Sequence, residues 1–293
     1  MKKKVPESTV IAGHPDFEIL SGIADTLRKS VGGQDNLQAT VPPLLREIVD
    51  DVIQTPRTGR RSYDELEKTE KTYIGTRVEI MFRALFQLPR GRLDTVINGH
   101  DVDIKHTMVD NWMIPTEAFG EVCLLVAADE EKGLCYLGLI VARPENLTGG
   151  GNRDDKVNVS AAGFSHIYWL LRDEPYPANF WRTIPEEKIK RIFSGKTGND
   201  RVVALFTELQ GVPVSRDIVE GVAAPQKDFM RRIRADGKRG TRNRLAKQGI
   251  LLLSGTYDKE AIEFFGLPMA DFISHTPSGQ AQLDYAKSSG YDL

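Results

Sequence analysis

The sequence is poor in the residues that build disulfide frameworks and histidine-based metal sites. It holds only 2 cysteines among 293 residues, too few for the disulfide framework of a small secreted domain. Cys123 and Cys135 both lie inside apolar runs, so we predict buried, reduced thiols. The 5 histidines are scattered without the spacing of metal ligands.

Long hydrophobic runs are missing as well. The longest uninterrupted apolar segment spans residues 122–128, far short of the roughly 20 residues of a membrane-spanning helix. No apolar stretch follows the lysines after Met1, so the sequence predicts no secretory signal. We therefore expect a cytoplasmic protein with no membrane partner.

A strong net charge is also absent, because 39 Lys and Arg residues face 41 Asp and Glu residues, for a net charge of −2. This balance argues against an indiscriminately basic nucleic-acid-binding protein. The distribution is uneven, however. Residues 225–250 carry nine basic side chains and only two acidic ones. Such a local excess predicts a phosphate-binding surface, with a solvated charged face as the alternative.

The pattern along the chain predicts an α/β first half. Amphipathic helices are predicted over residues 16–30 and 42–54, and Ser62 with Glu65 forms a capping box that opens a helix over residues 63–88. Strands are predicted at 93–97, 101–106, 121–128 and 134–142.

The second half has a different pattern. Short helices are predicted at 186–193, 199–210, 215–222 and 226–235, followed by a basic loop and a strand at 250–253. Short helices followed by a strand pair are typical of a winged helix-turn-helix. With 293 residues, two domains are expected: residues 1–165 and residues 175–293.

The chemistry is concentrated in one predicted β-hairpin. Asn98-Gly99 between two alternating runs is a strong hairpin signal, because both turn positions need a positive φ. A two-residue turn there places Asp94 opposite Asp103, with Cβ atoms roughly 5 Å apart. Alternation along the strand puts Lys105 on the same face.

Two carboxylates opposite each other destabilise a sheet unless their charge is compensated. A divalent cation would do so, since Mg²⁺ favours one or two carboxylates together with waters and phosphate oxygens. Such an ion would polarise a phosphodiester. Lys105 would orient or help deprotonate the attacking water, or stabilise charge on the phosphate.

The residues alone leave alternatives open. The hairpin could be a solvated acidic turn in which Lys105 simply pairs with Asp103, and Asp101 has the parity to replace Asp103 as a ligand. Glu79 has mostly apolar neighbours, so its carboxylate needs a partner. That partner is either a metal or Arg83, four residues further along the helix.

The order of Asp94, Asp103, Ile104 and Lys105 resembles the PD-(D/E)xK nuclease signature, with Leu93 in place of the proline. The chain more specifically resembles the NaeI restriction endonuclease family over roughly residues 40–270. That resemblance rests on the order and spacing of short motifs at residues 57–60, 68–72, 75–79, 102–105, 152–154, 228–232 and 266–268.

The resemblance implies a type II restriction endonuclease that acts as a homodimer on double-stranded DNA with Mg²⁺. Its nuclease domain would have a PD-(D/E)xK core, a central mixed sheet flanked by helices. The matching catalytic positions are Glu79, Asp94, Asp103 and Lys105, with the three carboxylates as metal ligands. The second domain would resemble the winged helix of the catabolite activator protein and bind a further DNA copy as effector. The resemblance implies a short GC-rich palindrome as target, with GCCGGC, the sequence cut by NaeI, as the candidate.

Candidate DNA contacts are basic and amide side chains in loops and on the predicted recognition helix: Arg57, Arg60, Asn152, Arg153, Lys156, Arg231, Arg232, Arg234, Arg239 and Arg242. Arginine reads guanine bidentately, but arginines contact phosphate as well. Two other functions are open at this point: a winged-helix regulator with an inactive nuclease fold, and a repair nuclease that nicks one strand.

Overall fold

The computed structural model describes residues 5–109, 111–150, 155–224, 226, 228–233 and 240–291, with the side chains of residues 231 and 232 left out. The described chain divides into two compact units. The first contains the residues up to Ile53 together with Arg60–Asn179, and the second contains Gln54–Gly59 together with the residues from Phe180 onward. A short segment from the first half of the sequence therefore folds with the second half.

The described helices and strands are as follows. The α-helices in chain order are α1 (Phe17–Ser30), α2 (Gln34–Ile53), α3 (Thr55–Thr58), α4 (Lys68–Leu85), α5 (Glu186–Phe193), α6 (Gly198–Glu208), α7 (Arg216–Ala223), α8 (Phe229–Ile233), α9 (Thr241–Ala246), α10 (Lys259–Phe264) and α11 (Gly279–Ser288). The strands are β1 (Thr95–Ile97), β2 (His100–Thr107), β3 (Met113–Ile114), β4 (Val122–Asp129), β5 (Leu134–Val141), β6 (Val157–Asn158), β7 (Tyr168–Pro175), β8 (Leu251–Ser254) and β9 (Phe272–His275).

The first unit is organised around a mixed sheet with strand order β1-β2-β4-β5-β7. Strands β2 and β4 are parallel, and the other neighbours are antiparallel. This sheet, flanked by helices, confirms the predicted α/β core. Strands β4 and β5 are buried along almost their whole length, which explains why they are continuously apolar rather than alternating.

The two faces of the sheet are covered differently. Val102, Ile104 and Leu124 face a core built with α1, α2 and α4. Cys123 and Leu125 face a second core that contains Trp112 and Tyr136 but no residue of those three helices. Because side chains alternate along β2, Asp103 and Lys105 share the face opposite to Val102 and Ile104.

Two helices of this unit begin elsewhere than predicted. Helix α2 begins at Gln34 and runs through Pro42 and Pro43. Prolines within a helix remove backbone hydrogen bonds, but the completely buried Leu37 and Val41 extend the apolar face of the helix and offset that cost.

Helix α4 begins at Lys68 rather than at residue 63. The predicted Ser62–Glu65 capping box is present, but it caps only a 3₁₀ turn, Tyr63–Glu65. Leu66 then adopts an extended backbone with φ −78° and ψ 144° and is buried. A second capping box between Glu67 and Glu70 opens α4 itself.

The second unit is mostly helical, as predicted. Helices α5, α6 and α7 lie within one or two residues of the predicted positions. Residues 241–246, expected to belong to a basic loop, instead form α9, whose Leu245 is completely buried. Strands β8 and β9 pair antiparallel, and Val214 adds an isolated bridge to Phe272. Among the described helices of either unit, none has the length and apolar composition of a membrane span.

Candidate active site

The hairpin forms in the predicted register. Ile97 pairs with His100 and Thr95 with Val102. Asn98 and Gly99 have φ values of 52° and 83°, as a two-residue turn of this type requires. Asp94 immediately precedes β1, so the same register brings it opposite Asp103.

Backbone and side-chain hydrogen bonds fix the two aspartates. Asp94 Oδ2 accepts the backbone N–H of Ile104 at 2.7 Å. Asp103 Oδ1 accepts from Lys105 Nζ, also at 2.7 Å. Asp103 is only 4% exposed, and its Oδ2 atom is buried without a hydrogen-bond partner among the described residues. A buried carboxylate oxygen without a donor is costly, so this atom marks a position for a ligand.

The pKa values reflect the same crowding. Burial raises the pKa of Asp103 to about 6; the Lys105 ammonium lowers it and the Asp94 carboxylate raises it further. Burial alone would lower the pKa of Lys105, but the charges of Asp103, Asp94 and Glu79 outweigh that effect and raise it. Lys105 is therefore a cation at neutral pH.

Glu79 reaches the same group of charges from helix α4, which packs against β2. Its pKa is raised, first by burial and then by the Asp94 carboxylate, while Lys105 opposes the shift. The alternative ion pair with Arg83 is not formed among the described residues. Arg83 instead donates to the backbone carbonyl oxygens of Glu79 at 3.4 Å and Asp94 at 3.5 Å, which ties α4 to the start of the hairpin.

Asp101 is engaged elsewhere, although its strand parity made it an alternative ligand. Its Oδ1 atom accepts the backbone N–H groups of Arg92 at 2.8 Å and Leu93 at 3.4 Å, and its Oδ2 atom lies 3.4 Å from Arg92 Nε. A Cβ at Gly91 would lie 2.5 Å from the Thr95 carbonyl oxygen, so the chain approaches this closely only with glycine. Asp101 therefore shapes the turn that leads into Asp94.

The residues present fit a divalent cation held by two carboxylates. No group of three or more potential metal ligands is assembled within the described part of the chain, so Glu79 is not already part of a three-carboxylate set. Mg²⁺ requires only one or two carboxylates, with waters and phosphate oxygens completing its shell. The partnerless Oδ2 atom of Asp103 suits such an ion.

The candidate DNA-binding residues are spread over both units. Arg60 makes a bidentate ion pair with Glu70 at 2.6 and 2.8 Å, and Arg242 lies 3.3 Å from Asp258. Arg57 is exposed in the segment that folds with the second unit, and Lys156 is exposed in the first. Asn152, Arg153, Arg234 and Arg239 lie outside the described residues, as do the side chains of Arg231 and Arg232.

Two supporting residues escaped the sequence reasoning. Arg83 was considered only as an ion-pair partner, and its contacts with two carbonyl oxygens depend on where α4 meets the hairpin. Asp101 was considered only as a ligand. The neighbouring Gly91 was a usable signal, because glycine next to a turn often marks close backbone approach.

Comparison with known proteins identifies the family of the chain. The family model of restriction endonuclease NaeI matches residues 23–266. The chain belongs to the NaeI restriction endonuclease family. The type II restriction enzyme NaeI of Lentzea aerocolonigenes is 35% identical over 236 residues, which cover 77% of this chain and 73% of that relative. The resemblance drawn from the short motifs is confirmed.

Membership of the NaeI family also confirms the predicted class of enzyme. The protein is a type II site-specific deoxyribonuclease, and therefore a nuclease and a hydrolase. The family match begins at residue 23, inside α1, and so includes all of α2 and the hairpin.

Proposed function

We propose that this enzyme cuts duplex DNA at a short GC-rich palindrome, such as GCCGGC, in a Mg²⁺-dependent hydrolysis. Two copies of the chain act together, one on each strand. The second unit binds a further copy of the recognition sequence as an effector. Family membership supports the restriction activity, and the chemistry of the hairpin supports the metal.

The observation that carries this proposal is the environment of Asp103. A carboxylate oxygen that is buried, next to a second carboxylate, and without a donor among the described residues is unfavourable unless a cation joins it. A solvated acidic hairpin would expose both carboxylates to water instead.

Each residue has a distinct part in the proposed reaction. Asp94 and Asp103 would hold the cation, and Glu79 of α4 would interact with it through a water molecule or the substrate. When bound, Mg²⁺ supplies Lewis-acid polarisation of the phosphate and a lowered pKa for a coordinated water. Lys105 is positively charged and held 2.7 Å from Asp103, so it stabilises negative charge on the phosphate rather than removing a proton. Water adds to phosphorus, one P–O bond breaks, and the leaving oxygen takes up a proton.

The second unit is proposed to be a winged helix. Its support is the order of α6, the Val214 bridge, α7, α8, α9 and the β8–β9 pair, which follows the helices-then-wing order of that fold. Arginines of residues 225–250 suit a GC-rich effector, because arginine reads guanine in the major groove. In the first unit, Thr148 pairs with Asn158. Asn152 and Arg153 lie between these two positions in the sequence, and we propose that they read DNA.

Digestion of a plasmid by the purified enzyme with Mg²⁺ tests the proposal. Wild type should give discrete fragments, and sequencing their ends should give one short palindrome. Asp103→Asn should abolish cleavage, because it removes one of the two carboxylates. Asp101→Asn is the matched control on the same strand and the same parity, and it should keep measurable cleavage.

Three outcomes would contradict the proposal. Wild type that binds DNA sequence-specifically but leaves it uncut with Mg²⁺ would indicate a regulator. A monomer that only nicks plasmid would indicate a repair nuclease. Loss of cleavage in Asp101→Asn with retention in Asp103→Asn would move the metal ligand to Asp101.

A further inference from the structure

The segment Gln54–Gly59 is an excursion of the chain. It lies between α2 and α4 in sequence, both of which belong to the first unit, yet it folds with the second unit. The two units are therefore joined not only at residues 179–180 but also at both ends of this six-residue segment. A simple linker between two domains would need one crossing.

The excursion is closely fitted inside the second unit. Its short helix α3 packs against α7, where a Cβ at Gly221 would lie 2.7 Å from Pro56 Cγ. Thr55 is buried. Gln54 has φ 47° and ψ 51°, in the left-handed region, and Gly59 at the other end has φ 74°. A left-handed glutamine is strained, and such strain is typical of switch segments.

After the excursion the chain is attached by an ion pair to α4, the helix that carries Glu79. Arg60, the first residue after the excursion, makes its bidentate ion pair with Glu70. Glu70 is at the N3 position of α4 and completes the capping box with Glu67. The Arg60 guanidinium, followed by a backbone hydrogen bond from Glu67, lowers the pKa of Glu70 to about 2. The pair therefore stays charged at any ordinary pH.

A buried cluster of charges holds the chain on both sides of the excursion, through Asp50 before it and Tyr63 after it. Arg46 of α2 is 6% exposed and pairs with Asp50 at 2.6 Å and Glu130 at 2.5 Å. Glu130 also accepts the backbone N–H of Tyr63 at 3.1 Å, and Asp50 accepts from Asn179 at 2.7 Å. Breaking a buried ion pair of this kind is strongly unfavourable. The Arg60–Glu70 pair, whose side chains are 23% and 31% exposed, is thus weaker than this cluster, and it is the attachment that reaches α4.

We propose that residues 54–60 couple the second unit to the active site, with Pro56 and Arg60 as positioning residues. DNA bound by the second unit shifts α3, and the shift passes along Gly59 and Arg60 to the first turn of α4, and so to Glu79. The inference rests on the proposed function, in which the second unit binds effector DNA. It also gives Arg60 a role inside the protein rather than on the DNA.

A pair of compensating substitutions tests the coupling. Gly221→Ala places a methyl group against the Pro56 ring and should displace α3. Pro56→Ala removes Cγ, and the remaining Pro56 Cβ is 3.4 Å from the added methyl, so the double variant Pro56→Ala/Gly221→Ala should seat α3 again. Stimulation is the ratio of the cleavage rates of a plasmid with one recognition site, measured with and without a short DNA duplex. The duplex carries the recognition sequence found by sequencing the ends of the wild-type digestion fragments.

Gly221→Ala should reduce this stimulation at least about fivefold, the lower limit of ordinary allosteric coupling. Its basal rate and thermal unfolding midpoint should stay near those of wild type, and the double variant should regain stimulation. Arg60→Gln is a second test if Gly221→Ala fails to fold, because it removes the ion pair between Arg60 and Glu70. It should lose stimulation in the same way, and Arg60→Lys should restore part of it.

Hydrogen exchange gives a readout independent of cleavage. In metal-free buffer the same duplex should change amide exchange in α4 of wild type and of the double variant, but not of Gly221→Ala. If the duplex stimulates wild type, Gly221→Ala and Arg60→Gln equally, the coupling through residues 54–60 is overturned and the effector proposal stands. Wild type that cuts without any stimulation would overturn the effector proposal together with the coupling.

Discussion

Burial and the neighbouring Lys105 charge have opposing effects on the ionisation of Asp103. Asp103 is buried beside a second carboxylate, and its pKa rises to about 6. Lys105 offsets only part of this, since it reaches Oδ1 and leaves Oδ2 without a partner among the described residues. A further positive charge near Asp103 Oδ2 would therefore be favourable. Strand parity predicted that these side chains share a face, but it did not predict that Asp101 would be used by the backbone of Arg92 and Leu93.

His106, next to Lys105 on β2, lies on the opposite face by the same alternation. Its Nε2 atom is buried with no partner among the described residues, and burial lowers its pKa to about 4. An unfolded histidine titrates near pH 6.5. Between about pH 6.5 and pH 4 the unfolded chain binds a proton that the folded chain does not, so the free energy of unfolding falls as the pH falls.

The variant His106→Gln should flatten this pH dependence. The measurement is the free energy of unfolding from urea titrations at several pH values across that window. His100→Gln, an exposed position on the same strand, is the matched control and should keep the wild-type slope. Both variants retain Asp103, so its own titration cancels from the comparison. Equal slopes in His106→Gln and wild type would contradict the prediction.

At the scale of elements, the candidate active site depends on a two-residue turn and one helix. The turn at Asn98-Gly99 sets the register that brings Asp94 opposite Asp103, and Arg83 holds α4 to the same hairpin. The turn was predictable because its conformation is local. The start of α4 was not, because it depends on Leu66 leaving the helix to become buried, which requires a core already in place.

Gly99→Ala tests the importance of the turn. Gly99 has φ 83° with open space around it, so alanine should cost about 1–2 kcal/mol of stability through its left-handed backbone alone. A shift of the register would also misplace the carboxylates and should lower kcat by on the order of tenfold to a hundredfold. Stability is measured by urea unfolding and kcat by plasmid cleavage.

Gly133→Ala is the control for this prediction. Gly133 lies in the turn between β4 and β5, also with a positive φ, 63°, and its added methyl would meet only ordinary contact with the Tyr176 carbonyl oxygen. It should cost similar stability and leave kcat near the wild-type value. Equal losses of kcat in both variants would attribute the effect to stability rather than to the register at Asp94.

For the molecule as a whole, the described residues of one chain supply one hairpin of this kind, whereas a duplex has two strands to cut. The proposed homodimer solves this by placing one active site on each strand of a palindrome. The two compact units each have their own buried core, consistent with one unit for catalysis and one for the proposed effector DNA.

Mixing subunits tests the dimer. Wild type should convert a one-site plasmid to the linear form with little nicked intermediate. If wild type and Asp103→Asn are unfolded and refolded together in equal amounts, mixed dimers should cut only one strand, and nicked circles should accumulate. The two proteins refolded separately and then combined are the control. The same product ratio in both samples, with only a lower rate, would contradict cleavage by a dimer.

The sequence by itself determined the features that depend on neighbours along the chain: the hairpin turn, the alternation of Asp103 and Lys105, the apolar strands β4 and β5, and the positions of α5 to α7. It also determined the family, through short motifs in a fixed order. Only the tertiary structure decided which charged side chains already interact with a partner inside the protein. Arg60 forms an ion pair with Glu70 and Arg242 with Asp258, and Asp101 accepts a backbone N–H in the turn before Asp94. Such pairings join residues from separate segments, and only the packed chain brings those segments together.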